Sequence, residues 1–169
     1  DGDIEYWNSY GISKNTLRLF KVYPISHYWL NGNKFTCRVP TYAYNLNGKF
    51  KLYAPTRDKF RFMTSTSHIQ GIDLLPQRHD TLIIQKSYKD VMLMYEFGFP
   101  SIAPQSELNV LSDKVCSDLS NRFNNIYIFY DYDDAGKIGS ECLSSLISKS
   151  IPLFIKDSSA KDCTDYCRM

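Results

Sequence analysis

The stretches TLIIQKSYKD (81–90) and IYIFYDYDDAG (126–136) decide the fold of this chain. Each begins with a run of mainly apolar residues in which polar and apolar side chains do not alternate. Such runs predict strands that are buried on both faces, as in a parallel sheet covered by helices. In parallel sheets, ligands bind at the carboxyl ends of the strands. The polar residues around Lys86 and Asp131 fall at two such ends.

Two aspartates form the sharper of these clusters. Asp131 and Asp133 are two residues apart in an extended stretch, so their side chains point the same way. Paired carboxylates suit a hard divalent cation such as Mg²⁺ or Mn²⁺. The alternative is a solvated turn in which Asp133 or Asp134 caps the following helix. Asp131 favours the metal interpretation, because it ends an apolar strand where an unneeded charge is costly.

Strands and helices alternate along the second half of the chain, which predicts an α/β domain over residues 79–169 with a mainly parallel sheet. The domain boundary is expected in a polar connector, residues 66–80. Predicted helices cover 88–97, 113–123 and 135–149, and predicted strands cover 81–85, 101–104, 126–130 and 151–155.

The first half has a different pattern and predicts an α+β subdomain over residues 1–78. Two short helical patterns come first, and short aromatic and β-branched runs follow, the first of them from Val22 to Leu30. Asn31-Gly32 and Asn47-Gly48 are strong hairpin signals. We therefore expect short helices followed by an antiparallel meander.

Charge divides the chain in the same place. Residues 1–80 hold 11 Lys and Arg against 6 Asp and Glu, a net +5, whereas residues 81–169 hold 9 against 12, a net −3. A basic front half favours contact with a polyanion. We expect an exposed face on which basic residues bind phosphates and aromatic rings stack on bases: Lys51, Arg57, Lys59 and Arg61 beside Tyr44 and Tyr53. The alternative is the ordinary solvated face of an antiparallel sheet.

Together these residues resemble the Toprim fold of DnaG-type and phage primases, topoisomerases and related nucleases. The resemblance spans residues 81–166 as a Toprim domain, and residues 6–17 look like the start of the amino-terminal subdomain of phage Toprim proteins. The positions in register with the family pattern are Asp90, Asp131, Asp133 and Gly136. Near the end of the chain, Lys161 and Asp162 resemble the start of the Lys-Asp-x-x-Asp element of primases, with Lys161 as a nucleotide-binding residue. The alternative is a charged loop in which Asp162 caps a terminal helix.

The resemblance implies a DNA primase or primase-helicase fragment, a nucleotidyltransferase that makes short RNA primers during phage DNA replication. It implies Mg²⁺ or Mn²⁺ as cofactor, single-stranded DNA and ribonucleotides as substrates, and a replicative helicase as a possible partner. Two alternatives stay open: a Toprim-type metal-dependent nuclease and a non-catalytic nucleic-acid-binding module of a replication complex.

One position departs from the family, because Lys86-Ser87 stands where the family carries Glu-Gly. An ammonium does not ligate a cation, which leaves a metal site rebuilt from other acids, a one-metal site, or an inactive Toprim domain. Glu107 makes the first option concrete, since it follows a neighbouring strand whose end is about 5 Å away. We therefore expect Glu107, Lys86 and Asp131 to be catalytic, with Lys86 also binding phosphate. The alternative for Glu107 is a first-turn helix residue.

Other classes of protein receive no support from the sequence. No apolar stretch is long enough to span a membrane, and the start Asp1-Gly2-Asp3 is not typical of a signal peptide. The histidines and cysteines lack the spacing of a zinc site. We expect a soluble protein of the cytoplasm, which is the host cytoplasm if a phage encodes it.

Overall fold

The structure is a computed structural model that describes residues 2–155 and 163–164. Its helices are α1 Gly2–Asn8, α2 Lys14–Leu19, α3 Tyr88–Glu96, α4 Asp113–Arg122 and α5 Asp134–Leu146. Its strands are β1 Val22–Pro24, β2 His27–Leu30, β3 Asn33–Thr36, β4 Tyr42–Leu46, β5 Lys49–Tyr53, β6 Phe62–Thr64, β7 His79–Gln85, β8 Ser101–Ile102, β9 Phe123–Phe129 and β10 Ser150–Leu153. Within these ranges, no helix combines the length and apolar character needed to cross a membrane.

A four-stranded parallel sheet forms the back half, in the order β10-β9-β7-β8. Leu82 and Ile126 point to one face and pack with residues of α4 and α5, whereas Ile83 and Phe129 point to the other face, towards α3. The strands are thus covered on both faces, as their unbroken apolar runs predict. The predicted α/β class of this half is confirmed.

The front half contains an antiparallel sheet in the order β1-β4-β5-β6 and a separate β2–β3 hairpin. Both Asn-Gly pairs have positive φ at both residues, so they form the tight turns predicted for two hairpins. The predicted single strand from Val22 to Leu30 is wrong. Pro24 has no N–H to extend the ladder, so β1 ends there and pairs with β4, while β2 pairs with β3.

One apolar cluster joins the two halves. Trp7 and Tyr44 of the front half share it with Met92 and Leu93 of α3, and all four side chains are almost completely buried. Gln70, also buried, pairs its backbone with Ala103 next to β8. Apolar packing therefore crosses the predicted boundary between residues 78 and 79, which itself stays a prediction.

Lys51 lies inside this packing. It is 5% exposed, and its Nζ donates to Oε1 of Gln70 at 3.1 Å and lies 4.8 Å from the ring centre of Phe62. The prediction that Lys51 lies on an exposed face with Tyr44 and Tyr53 is wrong. The three residues do share a face, but it is the inward one, because both rings pack towards Trp7.

The other three basic residues predicted for the phosphate-binding face follow β5 in the loop that leads to β6: Arg57, Lys59 and Arg61. Lys59 and Arg61 are exposed, and Arg57 is half-buried. The Nε of Arg61 donates to the carbonyl oxygen of Arg57 at 2.8 Å, so two of the three basic residues are held together.

Burial of Lys51 predicts a particular pH dependence of stability. Burial lowers the pKa of Lys51 to about 8, below its value of about 10.4 in an unfolded chain. Above pH 8 the unfolded chain therefore holds more protons than the folded one, and stability rises with pH. Relative to Lys51→Met, the free energy of unfolding of the parent should rise by about 1–2 kcal/mol from pH 7 to about pH 9.5.

Urea unfolding of the parent and of Lys51→Met across this pH range measures the difference between their free energies of unfolding. The contributions of other titrating groups are the same in both proteins and cancel in this difference. Lys49→Met, an exposed substitution in the same strand, is the control and should track the parent. Parallel curves for the parent and Lys51→Met would contradict the prediction.

Candidate active site at the strand ends

The carboxyl ends of β7 and β9 lie side by side, because Gln85 of β7 is in register with Phe129 of β9. Lys86 follows the first strand, and Asp131 follows the second after one residue. The Lys86 ammonium forms an ion pair with Oδ2 of Asp131. The structure thus brings together two of the predicted catalytic residues, 45 positions apart in sequence.

Glu107 reaches the same place from the loop after β8. Its Oε1 accepts a hydrogen bond from the backbone N–H of Asp131 at 3.3 Å. Partial burial raises the pKa of the Glu107 carboxyl, while the Asp131 N–H and the Lys86 ammonium oppose that rise. All three predicted catalytic residues therefore lie within one group, although their catalytic roles stay predictions.

Asp133 lies at the start of α5 and acts as its N-cap. Its Oδ1 accepts from the N–H of Gly136 at 2.8 Å, which satisfies one of the free donors of the first helical turn. The capping role considered for this residue is thus present. Asp131 is 8% exposed, whereas Asp133 is exposed.

The Mg²⁺ or Mn²⁺ implied by the resemblance does not fit these residues as they are arranged. In the part of the chain that the structure describes, no group of three or more His, Cys, Asp or Glu residues is placed to hold a metal ion. The Lys86 ammonium is bound to the Asp131 carboxylate, and one oxygen of Asp133 caps α5. The site therefore holds a positive charge of its own where the prediction placed a metal ion.

Two glycines of α5 allow this helix to approach the site closely. A Cβ atom at Gly136 would lie less than 3.0 Å from the backbone carbonyl oxygen of Asp131. A Cβ atom at Gly139 would also lie less than 3.0 Å from the backbone carbonyl oxygen of Glu107. Real Cβ atoms do not make such contacts. Gly136 was singled out from the sequence, but Gly139 was missed, although a spacing of three places both on one helix face.

Asp90 lies in the first turn of α3, next to the segment that carries Lys86, and is almost completely buried. Its Oδ2 accepts from the hydroxyl of Ser87, the N-cap of α3, at 2.6 Å, and its Oδ1 accepts from the hydroxyl of Thr164 at 3.0 Å. Asp90 thus ties residues 163–164 to the segment that carries Lys86. Thr164 gave no signal in the sequence, and the predicted Lys161 and Asp162 lie outside the described residues.

Comparison of structures shows that the fold is shared with primase catalytic cores. The primase fragment of the bacteriophage T7 primase-helicase aligns with a TM-score of 0.65 and 16% identity, over 94% of this chain and 66% of that one. A DNA primase domain from Pseudomonas aeruginosa aligns with a TM-score of 0.73 and 14% identity, over 99% and 67%. The DnaG primase catalytic domain bound to single-stranded DNA gives a TM-score of 0.72 and 13% identity, over 97% and 68%.

The chain spans about two thirds of the length of these structures. Its sequence matches no protein-family model and no curated protein sequence. At these identities the likeness is one of fold, and it confirms the predicted arrangement of an α+β subdomain followed by an α/β domain.

The Lys86–Asp131 ion pair predicts how the site responds to divalent cations. Removing the ammonium in Lys86→Met leaves a carboxylate without that neighbouring positive charge, so Mn²⁺ should bind about tenfold more tightly than to the parent. Calorimetric titration with Mn²⁺ measures the affinity. Lys89→Met is the matched control, because the Lys89 ammonium lies over the ring of Tyr10. Equal Mn²⁺ affinity in the parent and Lys86→Met would contradict this prediction.

The close approach at Gly139 predicts a cost for a single methyl group. Alanine is favoured over glycine in a helix by about 1 kcal/mol, yet the new Cβ would displace the backbone of Glu107. We expect Gly139→Ala to lower the free energy of unfolding by about 1–3 kcal/mol. Urea unfolding tests this, with the exposed α5 substitution Ser145→Ala as the control. A stabilised Gly139→Ala protein would show that the loop after β8 yields without cost.

Proposed function

We propose that this chain is the catalytic part of a DNA primase, which joins ribonucleotides into short RNA primers on single-stranded DNA during phage DNA replication. The observation that carries the proposal is the contact of Glu107 with Asp131, on a sheet with the fold of primase catalytic cores. In this proposal, the Glu107 carboxylate, from the loop after the neighbouring strand β8, takes the role of the acid that the resemblance places at position 86. The cytoplasm of the host cell is the compartment in which such an enzyme works.

In the proposed reaction, a 3′-hydroxyl oxygen attacks the α-phosphorus of a ribonucleoside triphosphate. The new bond is a phosphodiester, the bond to the β-phosphate oxygen breaks, and pyrophosphate leaves. Glu107 is suited by its position to accept the hydroxyl proton. The Lys86 ammonium is suited to exchange its bond to Asp131 for one to a phosphate oxygen, since lysine binds phosphate as a point charge.

Divalent cations supply charge neutralisation at the attacking and leaving oxygens in reactions of this class. Dependence on Mg²⁺ or Mn²⁺ is proposed from the resemblance alone, since the Lys86 ammonium, and not a metal ion, is bound to Asp131 in the described arrangement. The roles assigned above are therefore those of the chain's own residues. Asp131 holds the Lys86 ammonium before the substrate binds and pairs with it again after pyrophosphate leaves.

The template belongs, in this proposal, to the basic front half. Lys59 and Arg61 are exposed and Arg57 is half-exposed, so these three can reach phosphates, whereas Lys51 is held inside by Gln70. The structure of the DnaG domain bound to single-stranded DNA supports a DNA partner. The T7 protein is a primase-helicase, which supports a replicative helicase as a further partner.

A second function is favoured by one specific observation. The Lys86–Asp131 ion pair neutralises the most buried of the three carboxylates that follow the strand ends, those of Glu107, Asp131 and Asp133, as expected for a Toprim domain that binds nucleic acid without reacting. Among the described contacts, none favours the nuclease alternative over these two.

The substitution Glu107→Gln tests the proposal, because it keeps the shape of the side chain and removes its basicity. We expect template-directed incorporation of labelled ribonucleotides to fall on the order of a hundredfold or more, as for loss of a catalytic base. Glu141→Gln, an exposed substitution on α5, is the control and should retain full activity. Circular dichroism of each variant verifies that the fold is intact.

Nicking of supercoiled DNA is measured in parallel for the same proteins. Incorporation by the parent that survives Glu107→Gln unchanged would remove Glu107 from the mechanism. Nicking without incorporation would identify a nuclease. A parent that binds single-stranded DNA but does neither reaction would be the non-catalytic module.

A further inference from the structure

The β2–β3 hairpin has two faces of different character. Trp29 is paired with Lys34, and His27 with Thr36, so these four side chains lie on one face of the hairpin. Tyr28 is paired with Phe35 on the opposite face. Because paired residues of an antiparallel ladder share a face, the register alone separates the two sets.

The face that carries Tyr28 holds the hairpin against the rest of the front half. The rings of Tyr28 and Phe35 are stacked, with centres 5.4 Å apart and planes inclined by 14°. The hydroxyl of Tyr28 reaches the sulfur of Met63 in β6 at 3.9 Å. With this face engaged, the Trp29 face is directed away from the sheet.

Trp29 is 62% exposed, although it is one of only two tryptophans in the chain. The other, Trp7, is 1% exposed and forms part of the core. The rings of His27 and Trp29 meet edge to face, with their centres 4.8 Å apart. The Lys34 ammonium is 5.7 Å from the centre of the Trp29 ring. An indole with this exposure contributes little to the stability of the fold. Such an exposed ring is typical of a surface that a ligand covers.

The charge around the hairpin indicates the chemistry of that ligand. Residues 21–64 contain eight Lys or Arg residues and a single acid, Asp58; without the buried Lys51, the exposed and half-buried residues carry seven minus one, or +6. A surface this basic attracts a polyanion. Proteins that bind single-stranded nucleic acids combine aromatic rings, on which bases stack, with cationic side chains, which bind phosphates. An aromatic ring beside a lysine provides both.

We propose that the outward face of the β2–β3 hairpin, formed by Trp29 with His27 and Lys34, stacks on a base of single-stranded DNA. A duplex offers no free base face, so the ring selects unpaired nucleotides. The stacking surface predicted at Tyr44 and Tyr53 is buried, and Trp29 supplies such a surface at another place. The inference rests on the proposed function in that the bound strand is the primase template, but its test needs no catalysis.

Tryptophan fluorescence reports the contact directly, since Trp7 is shielded and Trp29 is not. The parent protein is titrated with a short oligothymidylate and, separately, with a duplex of equal length, while fluorescence anisotropy of a labelled oligonucleotide measures binding independently. We expect the oligothymidylate to quench Trp29 at concentrations that match the anisotropy curve. The duplex should leave most of the emission unchanged.

Three substitutions separate stacking from charge. Trp29→Ala should weaken oligothymidylate binding about tenfold without changing its salt dependence, since stacking involves no counterion release. Trp29→Phe, which keeps a ring, should restore most of the affinity while losing the quenching. Lys34→Ala should flatten the slope of log affinity against log salt by about 0.7.

Leu30→Ala is the matched control, because Leu30 is also exposed and apolar but lies on the Tyr28 face. It should bind oligothymidylate like the parent.

Two results would overturn the inference. If Trp29→Ala binds as tightly as the parent, or if anisotropy shows binding without quenching, the hairpin face does not stack on DNA and is left as a surface for a protein partner. Absence of any single-strand binding by the parent would overturn it equally. Failure of primer synthesis with intact quenching would instead remove the proposed function and leave the hairpin site standing.

Discussion

The close contact of α5 with two loops is the constraint on which the site depends. Gly136 and Gly139 lie one helical turn apart, and each leaves room for a backbone carbonyl, the first of Asp131 and the second of Glu107. Protein interiors are packed so closely that a single added methyl group must displace a neighbour. One helix therefore lies against the backbone of both segments that carry the Asp131 and Glu107 carboxylates.

The meeting of strand ends explains how Glu107 and Lys86 both reach Asp131. Three strands end at the same edge of the parallel sheet, so side chains that follow β7, β8 and β9 lie within reach of one another. Glu107 accepts from the Asp131 N–H, and Lys86 pairs with the Asp131 carboxylate. The pairing also keeps the buried Asp131 carboxylate from being an isolated charge, which would be costly.

Much of this arrangement could be predicted from the sequence, because it follows from local patterns. Unbroken apolar runs identified the parallel strands, and the meeting of their ends predicted that Glu107 approaches the space beside Lys86, where the structure places it against the Asp131 N–H. The orientation of Lys51 could not be predicted, since alternation shows which side chains share a face but not which face is inward. Gly139 was missed because its role arises only when a distant loop crosses α5.

The burial of α3 has a consequence for the behaviour of the whole chain. Four consecutive residues of this helix, from Val91 to Met94, are buried, and they share one apolar cluster with Trp7 and Tyr44 of the front half. Neither half can lose its structure without exposing this cluster, so we expect the two halves to unfold cooperatively. By mass action, any ligand that binds only the folded front half then also raises the stability of the strand-end residues. Occupancy of the front half and integrity of the strand-end residues are thus thermodynamically coupled through the packing of α3.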